Sequence, residues 1–271
     1  MRRRSITLPA VLAAIGVAFW VVFALVLTTD PPSLFAGAET DSPTGRVYQV
    51  SGDELDAADP IADALWVRFA ALIPAEHRAG VVSFTTIDDP ELSGYVEAVK
   101  GNTNRWHVAL SAHLVNAPQE LDATIVHEFA HMLSLGADQV LAPESRLELR
   151  RLAASCPTFF TGEGCSRDDS YLAAYIDRFW RGDLLEEWEA IAAGSAADFE
   201  EAIAGFVATH PDVFISDYAA TDPTEDFAES FMEWVLGGPT GHLGATARAK
   251  LEFFADYAEL IDVQAHIRAQ R

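Results

Sequence analysis

Lysine is almost missing from this 271-residue chain: Lys100 and Lys250 are the only two. Lys and Arg together number 18 against 41 Asp and Glu, a formal charge of −23. A surface of that sign repels a phosphate backbone, so the sequence argues against nucleic-acid binding. Cysteine is scarce as well, with Cys156 and Cys165 alone. Their separation is wider than the C-x₂₋₄-C of a zinc knuckle and no His lies nearby. Internal repeats and low-complexity tracts are absent. Half of the residues are hydrophobic, enough for one domain with a substantial core.

The one long apolar run is at the start. Met1-Arg2-Arg3-Arg4 precedes an uncharged stretch from Ile6 to Leu27. As a helix it would be about 33 Å long, enough to cross a hydrocarbon core of about 30 Å. The expectation is a signal anchor over residues 6–28. The arginine-rich stub (residues 1–5) would stay in the cytoplasm, and the remainder of the chain would lie outside the cell membrane. Ala36-Gly37-Ala38 resembles a cleavage site, so secretion after signal cleavage is the alternative. No cysteine in this region could carry a lipid. Residues 29–45, with Pro31, Pro32, Gly37, Ser42, Pro43 and Gly45, read as a linker, and residues 46–271 as the folded domain.

Within the domain, strands come first. Val47 to Val50, Val81 to Ile87, Gly94 to Val99 and Trp106 to Leu110 have strand composition, with turn chemistry at Asn102-Thr103-Asn104. Asp59-Pro60 caps a helix presenting Ile61, Leu65, Phe69 and Leu72 on one side. From Pro143 the pattern is helical: Glu144 to Ala154, Ser170 to Trp180, Leu184 to Ala193, Ala197 to Ala208, Pro223 to Leu236 and Ala245 to Arg268. Strands followed by helices predict an α+β fold. Outside the cell, Cys156 and Cys165 would close a small disulfide loop.

The chemistry is concentrated in His127-Glu128-Phe129-Ala130-His131, an H-E-x-x-H sequence. On a helix, residues four apart share a face, so both imidazoles reach one metal ion. Glu128 projects about 100° further round, beside the open coordination position. Leu121, Ile125, Val126, Phe129, Met132 and Leu133 form a separate apolar arc, and Gly136 is placed to end the helix. This residue set predicts zinc and hydrolysis of an amide bond by an activated water, with Glu128 as the base. The blander alternative is a solvated helix face with two unrelated histidines.

A catalytic zinc ordinarily has three protein ligands. The C-terminal half offers Asp217 to Phe231, where Asp222-Pro223 starts a helix carrying Glu225 and Glu229 four residues apart. Stacked carboxylates repel unless something cationic lies between them. Glu225 could instead cap the helix reciprocally with Asp222. His77, His107, His113, His210, His242 and His266 show no ligand spacing and read as structural or surface residues.

The H-E-x-x-H pair followed by Tyr218-x₆-Glu225-x₃-Glu229 resembles the gluzincin-type metallopeptidases related to the anthrax lethal factor catalytic domain and to the Pro-Pro endopeptidases. The resemblance covers the metal helix and the Tyr218 to Phe231 stretch. It implies a zincin-like fold, with a small N-terminal sheet packed on the metal helix. It implies His127, His131 and Glu225 as ligands of one zinc ion, Glu128 as general base and Tyr218 as stabiliser of the oxyanion. Glu229 would orient a ligand histidine. By the same analogy, Trp106 to Ser111 is the edge that pairs with an extended peptide or protein substrate. Proline specificity is not implied. The expectation is therefore a membrane-anchored zinc endopeptidase facing outward. The alternative from another class is a metal- or partner-binding module on a peptidase fold without turnover. The presence of Glu128 together with Tyr218 favours the enzyme.

Overall fold

The structure, a computed structural model, describes residues 45–271 apart from residues 90, 101 and 196. Strand β1 (Gly45–Ser51) and the short β2 (Glu54–Leu55) lead into helices α1 (Pro60–Leu72) and α2 (Ala75–Arg78). Three strands follow: β3 (Val81–Ile87), β4 (Gly94–Val99) and β5 (Asn102–Ser111). The five strands form one sheet in the order β2-β1-β3-β5-β4. β3 and β5 run parallel, whereas β1 on β3 and β4 on β5 are antiparallel. Phe84, Val108 and Val96 lie side by side in register on β3, β5 and β4, and all three are buried in the core. That shared face packs against α1 and the long helix α3 (Pro118–Leu135).

After α3 comes a small hairpin, β6 (Val140–Leu141) with β7 (Cys165–Ser166), enclosing helix α4 (Arg146–Ser155). The helical half continues with α5 (Tyr171–Phe179), α6 (Asp183–Ala192), α7 (Phe199–Thr209), α8 (Pro223–Leu236), α9 (Ala245–Phe253) and α10 (Ala258–Ala269). The α+β expectation, a small sheet followed by a mainly helical half, describes this arrangement. α8 begins where the residue types dictate. Asp222 accepts the Thr224 N–H at 2.7 Å and Pro223 occupies the first turn. It ends at Gly237, whose φ of 75° suits glycine. Its apolar face lies against α3, with the Phe129 and Phe231 rings 6.1 Å apart.

Several sequence expectations need correction. The transmembrane helix over residues 6–28 lies outside the described residues, and among the described residues no helix is long and apolar enough to cross a membrane. The single-pass location is therefore withdrawn. Hydropathy alone supported the span, and the helices of the folded part bury their apolar faces against one another instead. The Asn102-Thr103-Asn104 turn is the start of β5, which continues the antiparallel ladder as far as the Val99 to Asn102 pair. Trp106 to Ser111 is not an edge, because β5 is hydrogen-bonded on both sides and β4 is the outer strand. Ile61 is 44% exposed, while Ala62, Leu65, Trp66, Phe69 and Leu72 form the buried stripe of α1. The helix expected from Ala245 to Arg268 is broken at the 3₁₀ turn Phe254–Asp256. Adjacent helical residues diverge by about 100°, and here Phe253 and Phe254 are both buried among rings of α5 and α8.

Cys156 and Cys165 are joined as a disulfide with a Cα–Cα distance of 5.6 Å, so neither is available as a metal ligand.

Candidate metal centre

α3 is buried along most of its length, polar residues included: Thr124, His127, Glu128, His131 and Ser134 are all buried. The sheet supports one side of it. Gly94 on β4 lies close against it: an added Cβ would stand 2.8 Å from Thr124 Cγ2 and 2.9 Å from the Ala109 carbonyl oxygen. Glycine at this position lets the outer strand lie directly against the metal helix. α8 crosses the other side and brings its first two turns to the histidines.

His127 Nδ1 is 2.9 Å from Glu229 Oε1, and Glu229 Oε2 accepts the Ser216 hydroxyl at 2.7 Å. Since a carboxylate only accepts, Nδ1 carries a proton toward Glu229, and Nε2 points away from Glu229 toward Glu225 and His131. That Nε2 is 3.1 Å from Glu225 Oε2 and 3.2 Å from His131 Nε2, and the remaining side, His131 Nε2 to Glu225 Oε2, is 3.3 Å. Three buried donor atoms thus form a nearly equilateral triangle. Among the described residues, His127, His131 and Glu225 are the one group of three or more His, Cys, Asp or Glu side chains able to hold a metal ion.

The electrostatics follow from this crowding. Burial, the largest influence on Glu225, would raise its carboxyl, but His131 and His127 together outweigh it and hold the group below the usual carboxylate range. Burial opposes charging of His127, yet Glu225 and Glu229 overcome it and push that imidazole well above its ordinary value. A metal cation at the centre of the triangle would take the place of the proton held there and balance the paired carboxylates.

Glu128 is 1% exposed, and its Oε1 has no hydrogen-bond partner. Burial raises its carboxyl, with Glu225 adding to the effect and the histidines and the Val96 backbone N–H opposing it. Val96 belongs to β4, so the base is held between the outer strand and the triangle. Tyr218, on the 3₁₀ turn Tyr218–Ala220 before α8, has its ring centre 5.9 Å from that of His127. Its buried hydroxyl lies beside the Glu225 carboxylate but makes no hydrogen bond of good geometry. Burial first, then the Glu225 and Glu128 carboxylates, push the phenol well above its ordinary value, so it remains an O–H donor at neutral pH.

Every residue expected at the site from sequence is brought to it. The reciprocal cap weighed for Glu225 does not form, because Asp222 bonds within its own turn to Thr224, at 2.6 Å to the hydroxyl. His107 hydrogen-bonds Ser83, and His210 pairs with Glu187, away from the triangle. Sequence reasoning missed Ser216, which has no motif spacing. It also missed Glu163 on the disulfide loop, whose carboxyl lies within electrostatic reach of His131 and Glu97. No family model matches this chain, and neither does any curated protein or solved structure.

Proposed function

We propose that this chain is a zinc-dependent endopeptidase whose metal is held by His127, His131 and Glu225. The observation that carries the reading is the donor triangle with sides of 3.1, 3.2 and 3.3 Å. A tetrahedral ion with bonds of about 2.0–2.1 Å has its donors about 3.3–3.4 Å apart. Two imidazoles and one carboxylate are also a donor set that suits zinc. The likeness of the H-E-x-x-H and Tyr218-x₆-Glu225-x₃-Glu229 elements to the gluzincins supports the same assignment.

Bound zinc supplies Lewis acidity and brings the pKa of a water down toward about 7. The side chains of the chain then divide the remaining tasks. Glu128 accepts the proton of the attacking water through the oxygen that has no other partner, and burial makes it a stronger base than a free carboxylate. It can pass that proton to the departing amine. Tyr218 donates its free hydroxyl to the negative charge that develops on the former carbonyl oxygen. Glu229, braced by Ser216, keeps His127 in the tautomer that offers Nε2 to the metal. The outer edge of β4, whose Val96 N–H is bonded to Glu128, is where an extended peptide could add as a further strand.

Two partnerless buried polar atoms, Glu128 Oε1 and Tyr218 Oη, favour turnover over passive metal binding. The test combines metal analysis of the soluble domain from about Thr44 with digestion of a peptide library. Glu128→Gln should retain one zinc per chain and lose about 10²- to 10⁴-fold in cleavage rate. Full activity in that variant refutes the assigned base, and an intact library with zinc-loaded wild type supports the binding-module alternative.

A further inference from the structure

The helix that carries Glu225 and Glu229 has a second polar face one residue further on. Asp226 and Ser230 each follow one of those glutamates and project about 100° round α8 from it. They meet a closed polar cluster. Asp226 Oδ2 lies 2.6 Å from Lys250 Nζ of α9 and accepts Trp180 Nε1–H at 2.7 Å and the Tyr175 hydroxyl at 3.0 Å. Tyr175 Oη is also 2.9 Å from Ser230 Oγ and 3.2 Å from the Asp226 carbonyl oxygen. The Lys250 ammonium stands 4.5 Å from the centre of the Phe214 ring and 5.6 Å from that of Trp180. Asp226 and Lys250 are both 0% exposed, and Lys250 is one of only two lysines in the chain.

A fully buried ion pair is a poor source of stability, because desolvating both charges offsets most of their attraction. This pair is not completely compensated, since Asp226 Oδ1 has no hydrogen-bond partner and Lys250 Nζ, though 2.6 Å from Asp226 Oδ2, makes no hydrogen bond of good geometry. What such a pair supplies and apolar packing does not is direction. Hydrophobic contact is non-directional and tolerates small rotations of a helix, whereas the Trp180 N–H and Tyr175 O–H bonds to a charged Asp226, held in place by Lys250, do not.

We propose that Asp226 and Lys250 are positioning residues for the metal centre. By tying α8 to α5 and α9 from behind, they set the rotation at which Glu225 and Glu229 meet His127. The inference rests on the reading of His127, His131 and Glu225 as a metal site. The geometry leaves little slack. A carboxylate about 6 Å from the helix axis moves about 1 Å for a rotation of about 10°. Metal–ligand distances tolerate only about 0.2 Å.

The test is a zinc titration of the full chain against a chromophoric chelator, with circular dichroism and thermal melting alongside. Lys250→Met alone leaves a buried unpaired carboxylate and should fold poorly. The double variant Asp226→Asn/Lys250→Met removes both charges and should melt close to wild type, yet bind zinc at least about 10-fold more weakly. Tyr175→Phe keeps the ion pair and removes one donor to Asp226, so its zinc affinity should fall by a smaller factor, about 3-fold. It decides the matter if the double variant does not fold. A merely structural role would move melting and affinity together. Wild-type zinc affinity in a folded double variant, or in Tyr175→Phe where the double variant does not fold, overturns the inference and leaves the metal centre standing. A wild type that binds no zinc removes the metal centre and this inference with it.

Discussion

Glu225 and Glu229 are chemically identical and one helical turn apart, yet they have different neighbours, and under the proposed metal site the difference is measurable. Glu225 Oε2 faces both imidazole Nε2 atoms at 3.1 and 3.3 Å, whereas Glu229 sits behind His127, with one oxygen on Nδ1 and the other on Ser216. On the proposed zinc site, Glu225→Ala removes one of three direct ligands and should lower zinc affinity by well over the ~10- to 100-fold typical of a group that only orients a ligand. Glu229→Ala should fall within that smaller range. In the metal-free protein the order reverses. Removing Glu229 leaves the His127 Nδ1–H and the Ser216 hydroxyl with no acceptor in a buried site, at about 1–3 kcal/mol each. Removing Glu225 deletes a buried carboxylate whose close contacts are His127 and His131 and leaves the His127 Nδ1–H still bonded to Glu229, so the cost in metal-free stability should be smaller. The assay pairs chelator competition for zinc with urea denaturation of the metal-free variants. A Glu229→Ala protein that loses its metal while Glu225→Ala keeps it would refute the assignment.

Reducing the Cys156–Cys165 bridge should destabilise the fold by about 2–3 kcal/mol in the chain-entropy account, and mass measurement after alkylation with and without reductant should show both sulfurs protected in the native protein. Gly94→Ala should cost about 1–3 kcal/mol and depress cleavage together with melting temperature, because the new methyl group would meet Thr124 and the Ala109 carbonyl at under 3 Å; an unchanged melting curve would show that β4 does not press on the metal helix. Glu163 gives a pH signature. Burial, with Glu97 adding and His131 opposing, raises its carboxyl from 4.5 to about 7, so the folded state holds this proton more tightly than the unfolded chain. Its stabilising contribution is complete below about pH 4.5 and lost as pH rises through about 7. Glu163→Gln in metal-free protein should therefore flatten the fall in melting temperature across that window, and an identical slope in both proteins would exclude the effect.

Much of the architecture was legible because it is local. Pro118 and Gly136 bracket α3, and Asp222-Pro223 and Gly237 bracket α8, since caps and glycine stops act within a turn or two of the chain. The i, i+4 spacing of His127 and His131 places two imidazoles together in any α-helix, whatever packs around it. The same local logic failed where two neighbours both had to be buried. Phe253 and Phe254 broke a helix that periodicity alone would continue.

The sequence by itself determined the two helices, the imidazole pair, the adjacent Glu128 and the pool of carboxylates from which a third ligand could come. Only the tertiary structure decided which carboxylate faces which nitrogen, because that choice depends on how α8 lies across α3, and contacts 98 and 102 residues apart in the chain leave no periodic trace. It likewise decided that β4 and not β5 is the outer strand, since strand order is set by which backbone edges pair after the chain has crossed over. The buried Asp226–Lys250 pair belongs to the same category: in sequence Lys250 is one lysine near the C-terminus, and only the packing of α9 on α8 turns it into the counter-charge behind the metal helix's partner.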